Sequence, residues 1–246
     1  MSVWPRTPTA RELAVVVLDR IVFAVSGDRG VVARGPARRR ALALSFDDGP
    51  SPANTPMLLD LLARHEARAT FFVVGELVAG QEPILEQAVS LGHELGNHTW
   101  SHPHTVSLSR AELRRELVRT NEAIESVGAR VRLVRPPFGK DRRRVADAAA
   151  GLGMTVTLWS VDSGDTRGGS ADEIASAVVA GAEPGAIVLF HDGGDRRQRT
   201  IDACAAALPA LRAAGYELVT ISELLAGTSV PSSGDGLAPE HGDPVR

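Results

Sequence analysis

The sequence holds one cysteine in 246 residues, which excludes an internal disulfide. That residue, Cys204, sits in Asp202-Ala203-Cys204-Ala205, the setting of a small hydrophobe inside a helix. Aromatics are scarce: six Phe, three Trp and one Tyr, few for stacking along a long polymer. Neither sign of charge dominates. A net charge of −3 gives no electrostatic case for nucleic-acid binding. The apolar stretch at residues 13–25 is interrupted by Asp19-Arg20. It is too short to span a bilayer and lacks a clean signal-cleavage site after it. Arg34 and Arg38-Arg39-Arg40 follow, so a membrane-surface helix is one reading of this segment and a helix packed on the domain is the other. The expectation is a soluble, cytoplasmic protein with no stable membrane span.

The remaining composition is that of a globular α/β protein, 43% apolar and 23% charged, and the length suits one domain rather than two. Strand-like runs at 41–46, 70–74, 93–96, 133–135, 155–159, 186–190 and 217–220 alternate with helical spacing at 55–65, 82–91, 109–127, 141–152, 171–180 and 200–214. Asn54 and Ser109 read as N-caps. This alternation predicts a parallel sheet wrapped by helices, closed or open. Residues 1–40 read as an N-terminal extension and 41–226 as the domain. Residues 227–246, rich in Ser, Gly, Pro and acids, read as a disordered tail.

Chemically active residue types gather at the strand ends. Asp47 and Asp48 follow the first strand within Ser45-Phe46-Asp47-Asp48-Gly49-Pro50. His98 and His102, in His98-Thr99-Trp100-Ser101-His102, follow the third; a spacing of four puts both on one face if the segment is a helical turn. Arg135 ends the fourth strand, Asp162 and Asp165 follow the fifth, and His191 follows the sixth. In a β/α barrel these ends converge on one face, where active sites form. One carboxylate with two imidazoles can hold a divalent metal and leave positions open, and the second carboxylate is then free to act as a base.

In their order these residues resemble the polysaccharide deacetylase family, the NodB-homology enzymes of carbohydrate esterase family 4, over about 41–226. The further motifs that carry the likeness are Arg135-Pro136-Pro137-Phe138-Gly139, Asp162-Ser163-Gly164-Asp165 and Leu189-Phe190-His191. The resemblance implies a distorted, incomplete (β/α) barrel of about seven strands that hydrolyses an N-acetyl group on an amino sugar. It implies that Asp48, His98 and His102 bind one divalent ion, zinc first, with cobalt or nickel also fitting. Asp47 is then the base, oriented by Arg135, and the Phe138 N–H the oxyanion donor. His191 is the acid, held by Asp165. Leu189 packs on the acetyl methyl, and Pro137 and Trp159 join the substrate site. Two positions depart from the family pattern: Phe138 stands where Tyr is usual, and Thr166 where a Trp often lines the sugar site.

Rival classes fit less well. A non-haem iron oxygenase has no use for Asp47, Arg135 and His191. A zincin needs Glu at position 99, where Thr99 stands. An inactive carbohydrate-binding relative would not need an intact base, ligand set and acid. Among hydrolase substrates, a glycan or oligosaccharide of N-acetylglucosamine type stands beside an intracellular small-molecule or lipid-linked N-acyl amino sugar.

Overall fold

The computed structural model describes residues 30–195 and 197–226. The apolar segment at 13–25 and the tail from 227 lie outside the described residues. Strand and helix alternate. The strands are β1 (Val31–Val32), β2 (Ala41–Gly49), β3 (Ala69–Val73), β4 (Glu94–Asn97), β5 (Leu133–Val134), β6 (Thr155–Thr157), β7 (Val161–Asp162), β8 (Ile187–His191) and β9 (Glu217–Val219). The helices are α1 (Thr55–Arg64), α2 (Glu82–Ser90), α3 (Arg110–Glu125), α4 (Arg142–Ala150), α5 (Ala171–Ala180), α6 (Gln198–Ala213) and α7 (Ile221–Ala226).

The sheet runs β1-β6-β5-β4-β3-β2-β8-β7, with β9 also pairing β2, and its ladders are parallel. Among the described residues no ladder joins β7 to β1, so the barrel is incomplete, as expected. The described strands number nine rather than seven, because two short ones escape a periodicity reading. β1 brings Val31 and Val32, inside the stretch read as an extension, onto β6. The run at 155–159 ends as a strand at Thr157, since the chain there leaves β6 and reappears at Val161 beside β8. β6 and β7 lie near opposite ends of the ladder path yet are joined by three residues. The sheet must therefore curl until its two ends are close.

β2 pairs with β3, β8 and β9 and is covered on both faces, which is why it reads as an unbroken apolar run. Leu42, Leu44 and Phe46 face the helices, where Phe46 stacks between Phe71 and Phe190 with centroids 5.0 and 5.6 Å away. Ala41 and Ala43 face the barrel interior with Val32, Phe72, Leu133 and Ile187. By the two-residue period, Ser45 and Asp47 share that inner face. Small side chains there leave the space that Arg135 fills.

Ser109 caps α3 as expected: its hydroxyl accepts from the Glu112 N–H, and the Glu112 carboxylate accepts from the Ser109 N–H. Asn54 occupies the N-cap position of α1 but makes no capping bond. Its Nδ2 donates to Ser51 Oγ and to the carbonyls of Asp192 and Asp195, and its Oδ1 accepts from Arg197 N–H. The side chain anchors the loop after β8 instead.

Candidate active site

Two adjacent residues of a regular strand point to opposite faces, so Asp47 and Asp48 could not serve one site from an ideal β2. The ladder to β3 is irregular between Asp47 and Gly49, and Asp48 adopts φ 74°. This bulge turns both carboxylates toward the same imidazole: His98 Nε2 lies 3.8 Å from Asp47 Oδ2 and 3.3 Å from Asp48 Oδ1. Gly193 backs the bulge closely; a Cβ there would sit 2.0 Å from the Asp48 carbonyl oxygen.

The histidines do not lie on a helical turn. His98 follows β4, and the chain to His102 is a loop with left-handed Thr99 (φ 69°) and His102 (φ 51°). The loop is fixed by hydrogen bonds that a helix would not leave available. Asn97 Oδ1 accepts from Thr99 N–H, and the Glu116 carboxylate on α3 accepts from the N–H groups of Trp100 and Ser101. His102 Nε2 thereby reaches 3.2 Å from Asp48 Oδ1. His98 Nδ1 sits 2.8 Å from the Arg135 carbonyl, which can only accept. That nitrogen carries a proton, which leaves Nε2 as the ring atom turned toward the site.

Asp48 Oδ1, His98 Nε2 and His102 Nε2 lie within 4.8 Å of one another. Burial alone would raise the Asp48 pKa, but hydrogen bonds with His102 and His98 hold it well below the usual carboxylate range. A carboxylate and two imidazole lone pairs converging on one point, with the second nitrogen of His98 tied to a carbonyl, is a donor set that fits a divalent cation.

Beneath this point Arg135 is fully buried. Its Nη1 donates to Asp47 Oδ1 at 2.7 Å and to Ser45 Oγ at 2.9 Å. Nε and Nη2 donate to the carbonyls of Thr157 and Leu158, and the guanidinium lies 4.0 Å above the Phe72 ring. Burial pulls its pKa down, while Asp47 acts in the opposite direction. On the other side, Asp47 pairs in register with His191 across β2 and β8. His191 Nδ1 is 2.9 Å from Asp165 Oδ1, and Asp165 Oδ2 accepts from the His191 N–H and the Thr200 hydroxyl. Burial opposes charging of His191, but the Asp165 hydrogen bond and the charge of Asp47 raise its pKa above the ordinary value. For Asp165 burial acts upward and is outweighed by the His191 contacts, so its pKa falls.

These groups open on a cavity of about 240 Å³. Asp47, Asp48, His98, His102 and His191 form its polar side. Phe138, Trp159 and Leu189 form its apolar side, with Gly139 and Thr166. Arg135 and Asp165 stand behind this lining, reaching the cavity through Asp47 and His191. Asp165 borders a neighbouring cavity of about 470 Å³ with Arg197 and Thr200. Pro137 is buried and does not line the site cavity; it begins the turn Pro137–Gly139 that presents Phe138. Asp162, part of a quoted motif, pairs with Arg167 at 2.9 Å away from the site. One nearby residue was not singled out from the sequence: Asp192. It is buried against the Thr55 hydroxyl, and burial pushes its pKa up to about 7. Its position directly after His191 was the available signal.

A parallel β/α barrel with this paired-carboxylate and paired-histidine mouth defines a class, and the chain belongs to it: the polysaccharide deacetylase family, whose sequence model matches residues 34–157. Deacetylases of this family use a divalent metal. The chain is 38% identical over 192 residues to a peptidoglycan-N-acetylglucosamine deacetylase of Bacillus cereus, a match covering 77% of this chain and 90% of that protein. It is 37% identical over 216 residues to a chitooligosaccharide deacetylase of Bradyrhizobium, covering 82% and 97%. Among solved structures, a CE4 family pseudoenzyme from Bacillus anthracis superposes with TM-score 0.73 at 31% identity, over 79% of this chain and 68% of that one.

The buried Arg135–Asp47 pair gives a stability prediction. Arg135→Met should cost about 3–5 kcal/mol, because it leaves a buried carboxylate without its partner. Chemical denaturation at neutral pH checks this, and a loss under 1 kcal/mol, within the range of an exposed pair, would contradict it.

Proposed function

We propose that the protein is a divalent-metal-dependent hydrolase that removes the acetyl group from an N-acetylated amino sugar. The observation that carries this reading is the convergence of Asp48, His98 and His102 on one point beside an Arg135-held Asp47. These three side chains would hold the ion, zinc by preference for two imidazoles and a carboxylate, with cobalt or nickel also suited. When bound, it supplies Lewis-acid polarisation of the amide carbonyl and a more acidic water.

The remaining work falls to the protein. Asp47, fixed by Arg135, takes the proton of the attacking water. The Phe138 N–H steadies the oxyanion; a main-chain donor is indifferent to Phe standing in place of Tyr. His191, kept charged and oriented by Asp165, gives a proton to the departing amine. Leu189 receives the acetyl methyl, Trp159 closes the apolar wall, and Pro137 supports Phe138 from behind. The amine must leave protonated because an amide anion is too poor a leaving group at neutral pH.

The second reading is an inactive glycan-binding relative, and a pseudoenzyme does stand among the solved structures this chain resembles. The presence of candidate ligands, base and acid around one cavity favours turnover. Among the described residues no helix is long and apolar enough to cross a membrane. A cytoplasmic place of action belongs to the proposal, and cell fractionation tests it.

Asp47→Asn should retain the metal and lose about 10²–10⁴-fold in turnover, whereas the His98/His102 double alanine variant should lose the metal itself. Metal analysis and acetate release separate the two; full metal content in the double variant would overturn the ligand assignment.

The charged His191 persists to higher pH because its pKa is raised, so activity should fall as pH climbs through that value. Asp165→Asn removes the main stabilising contact and should move this alkaline limb toward lower pH. An unmoved limb in the kcat profile would show that another group is the acid.

The small cavity and Thr166 at its rim suit a short substrate. N-acetylglucosamine dimers to hexamers should release acetate faster per acetyl group than colloidal chitin does. A rate that climbs steeply with chain length and peaks on the polymer would refute this.

A further inference from the structure

The chemistry proposed above leaves one buried acid beside the site without a task. Asp192 is 1% exposed. Its Oδ2 accepts from the Thr55 hydroxyl, while its Oδ1 has no hydrogen-bond partner. A buried carboxyl with a single donor is costly to desolvate, and an apolar side chain would fill the same space at less cost. The backbone of Asp192 is fully engaged. Its N–H donates to the Asp47 carbonyl at 3.0 Å, and its carbonyl accepts from Asn54 Nδ2 at 2.9 Å. Thr55 Oγ1, which holds Oδ2, also accepts from the Ser51 N–H at 2.8 Å. One residue thus joins the end of β2, the start of α1 and the loop after β8.

The carboxyl group lies where a side chain at position 49 would be. A Cβ on Gly49 would stand 2.6 Å from Asp192 Oδ1 and 2.7 Å from its Cγ, and would meet Oδ2 as well. Gly49 is not in the left-handed region, so its backbone does not itself require glycine. What excludes a larger residue there is the Asp192 carboxyl. The fit is reciprocal. Gly193, the next residue after Asp192, lacks the Cβ that would strike the Asp48 carbonyl. The Asp192 side chain fills the gap at Gly49, and the Asp48 main chain fills the gap at Gly193. This interlock lies against the bulge that turns Asp47 and Asp48 toward His98. It also directly follows His191, which pairs in register with Asp47.

We propose that Asp192 is a positioning residue. Wedged against Gly49, it sets the bulge that aims Asp48 at the point shared with His98 and His102, and it holds Asp47 level with His191. The proposal rests on the deacetylase reading and adds to it a residue that touches neither ion nor substrate. A close-packed interior shifts when such a wedge is removed. A displacement of about 1 Å at reacting groups lowers a rate by about 10²-fold. The same shift would part Asp48 from the two imidazoles, so ion affinity and turnover should move together.

The test uses the full chain, with kcat and KM from acetate release by the zinc-loaded protein on N-acetylglucosamine oligomers. Cobalt affinity is measured separately, by competition with a chelator. Asp192→Ala should lower kcat by about 10²-fold and weaken cobalt binding, with KM within about threefold, because Phe138, Trp159 and Leu189 keep their places. Gly49→Ala should do the same, since its methyl displaces the carboxyl. The variant that decides the matter carries both changes. The methyl added at position 49 then enters the space the carboxyl has left. Both kcat and cobalt affinity should recover about tenfold over Gly49→Ala alone, a coupling of the size that contacting residues show. Losses that multiply, leaving the double variant below either single one, would overturn the proposal. So would wild-type kcat and cobalt affinity in Asp192→Ala. Should Gly49→Ala fold poorly, Thr55→Val removes the hydroxyl that holds Oδ2 at nearly constant volume. It should lower kcat and cobalt affinity together, and two unchanged values would count against the wedge. If the wild type releases no acetate but cobalt affinity shows the recovery, the deacetylase reading fails and the wedge stands. Acetate release with multiplying losses gives the reverse.

Discussion

The site depends on one buried ion pair, Arg135 with Asp47. A guanidinium at the bottom of a barrel is costly to desolvate, and the surroundings answer that cost at nearly every donor. Asp47 and Ser45 come from β2, the Thr157 carbonyl from β6, and the Leu158 carbonyl from the segment that crosses to β7. The same residue lends its own carbonyl to His98 Nδ1, and its N–H donates to the Asn97 carbonyl. Arg135 therefore positions the candidate base and one candidate ligand together, and binds three parts of the barrel wall to each other. The small residues Ala41, Ala43 and Ser45 on the inner face of β2 are the other half of this arrangement, because larger side chains would occupy the space the guanidinium needs.

Much of this was legible in the sequence, for physical reasons that differ by element. The helix at 171–180 was marked by its apolar spacing and matches the structure end to end, and α3 announced itself through Ser109 as its N-cap. β2 read correctly as a buried strand because both faces are covered. β1 lies inside the stretch read as an extension and β7 just past a run read as one strand at 155–159, so the sheet has more members than periodicity found. The site residues were visible as types and order, while their geometry was not. A spacing of four suggested a helical face for His98 and His102, yet the Asn97 and Glu116 side chains satisfy the loop's N–H groups and make a tight non-helical turn instead. Nothing local to Asp48 signals its bulge, since the close approach that supports it comes from Gly193, far along the chain. Asn54 was read as a cap because caps favour its residue type, but Ser51 and the loop after β8 take its side-chain hydrogen bonds instead.

The electrostatics of the mouth follow from how the charges are grouped. Arg135 neutralises Asp47 from below, and Asp165 balances His191 from the side. Asp48 is left with two imidazoles whose Nε2 atoms converge on it. A divalent ion would satisfy all three donors at once. Ion and substrate thus share one small volume, while the flanking pairs stay fixed.

The filled barrel interior also sets an order of events. Arg135, Phe72, Ser45 and Ala43 close the space below the cavity, so traffic through the barrel is blocked and the mouth serves both arrival and departure. On the proposed chemistry the acetyl group lies innermost against Leu189 and the sugar lies outermost against Phe138. The deacetylated sugar then has to depart before acetate can. Acetate is the last product out, and as it accumulates it should occupy the empty enzyme directly, competing with the next substrate for the same pocket.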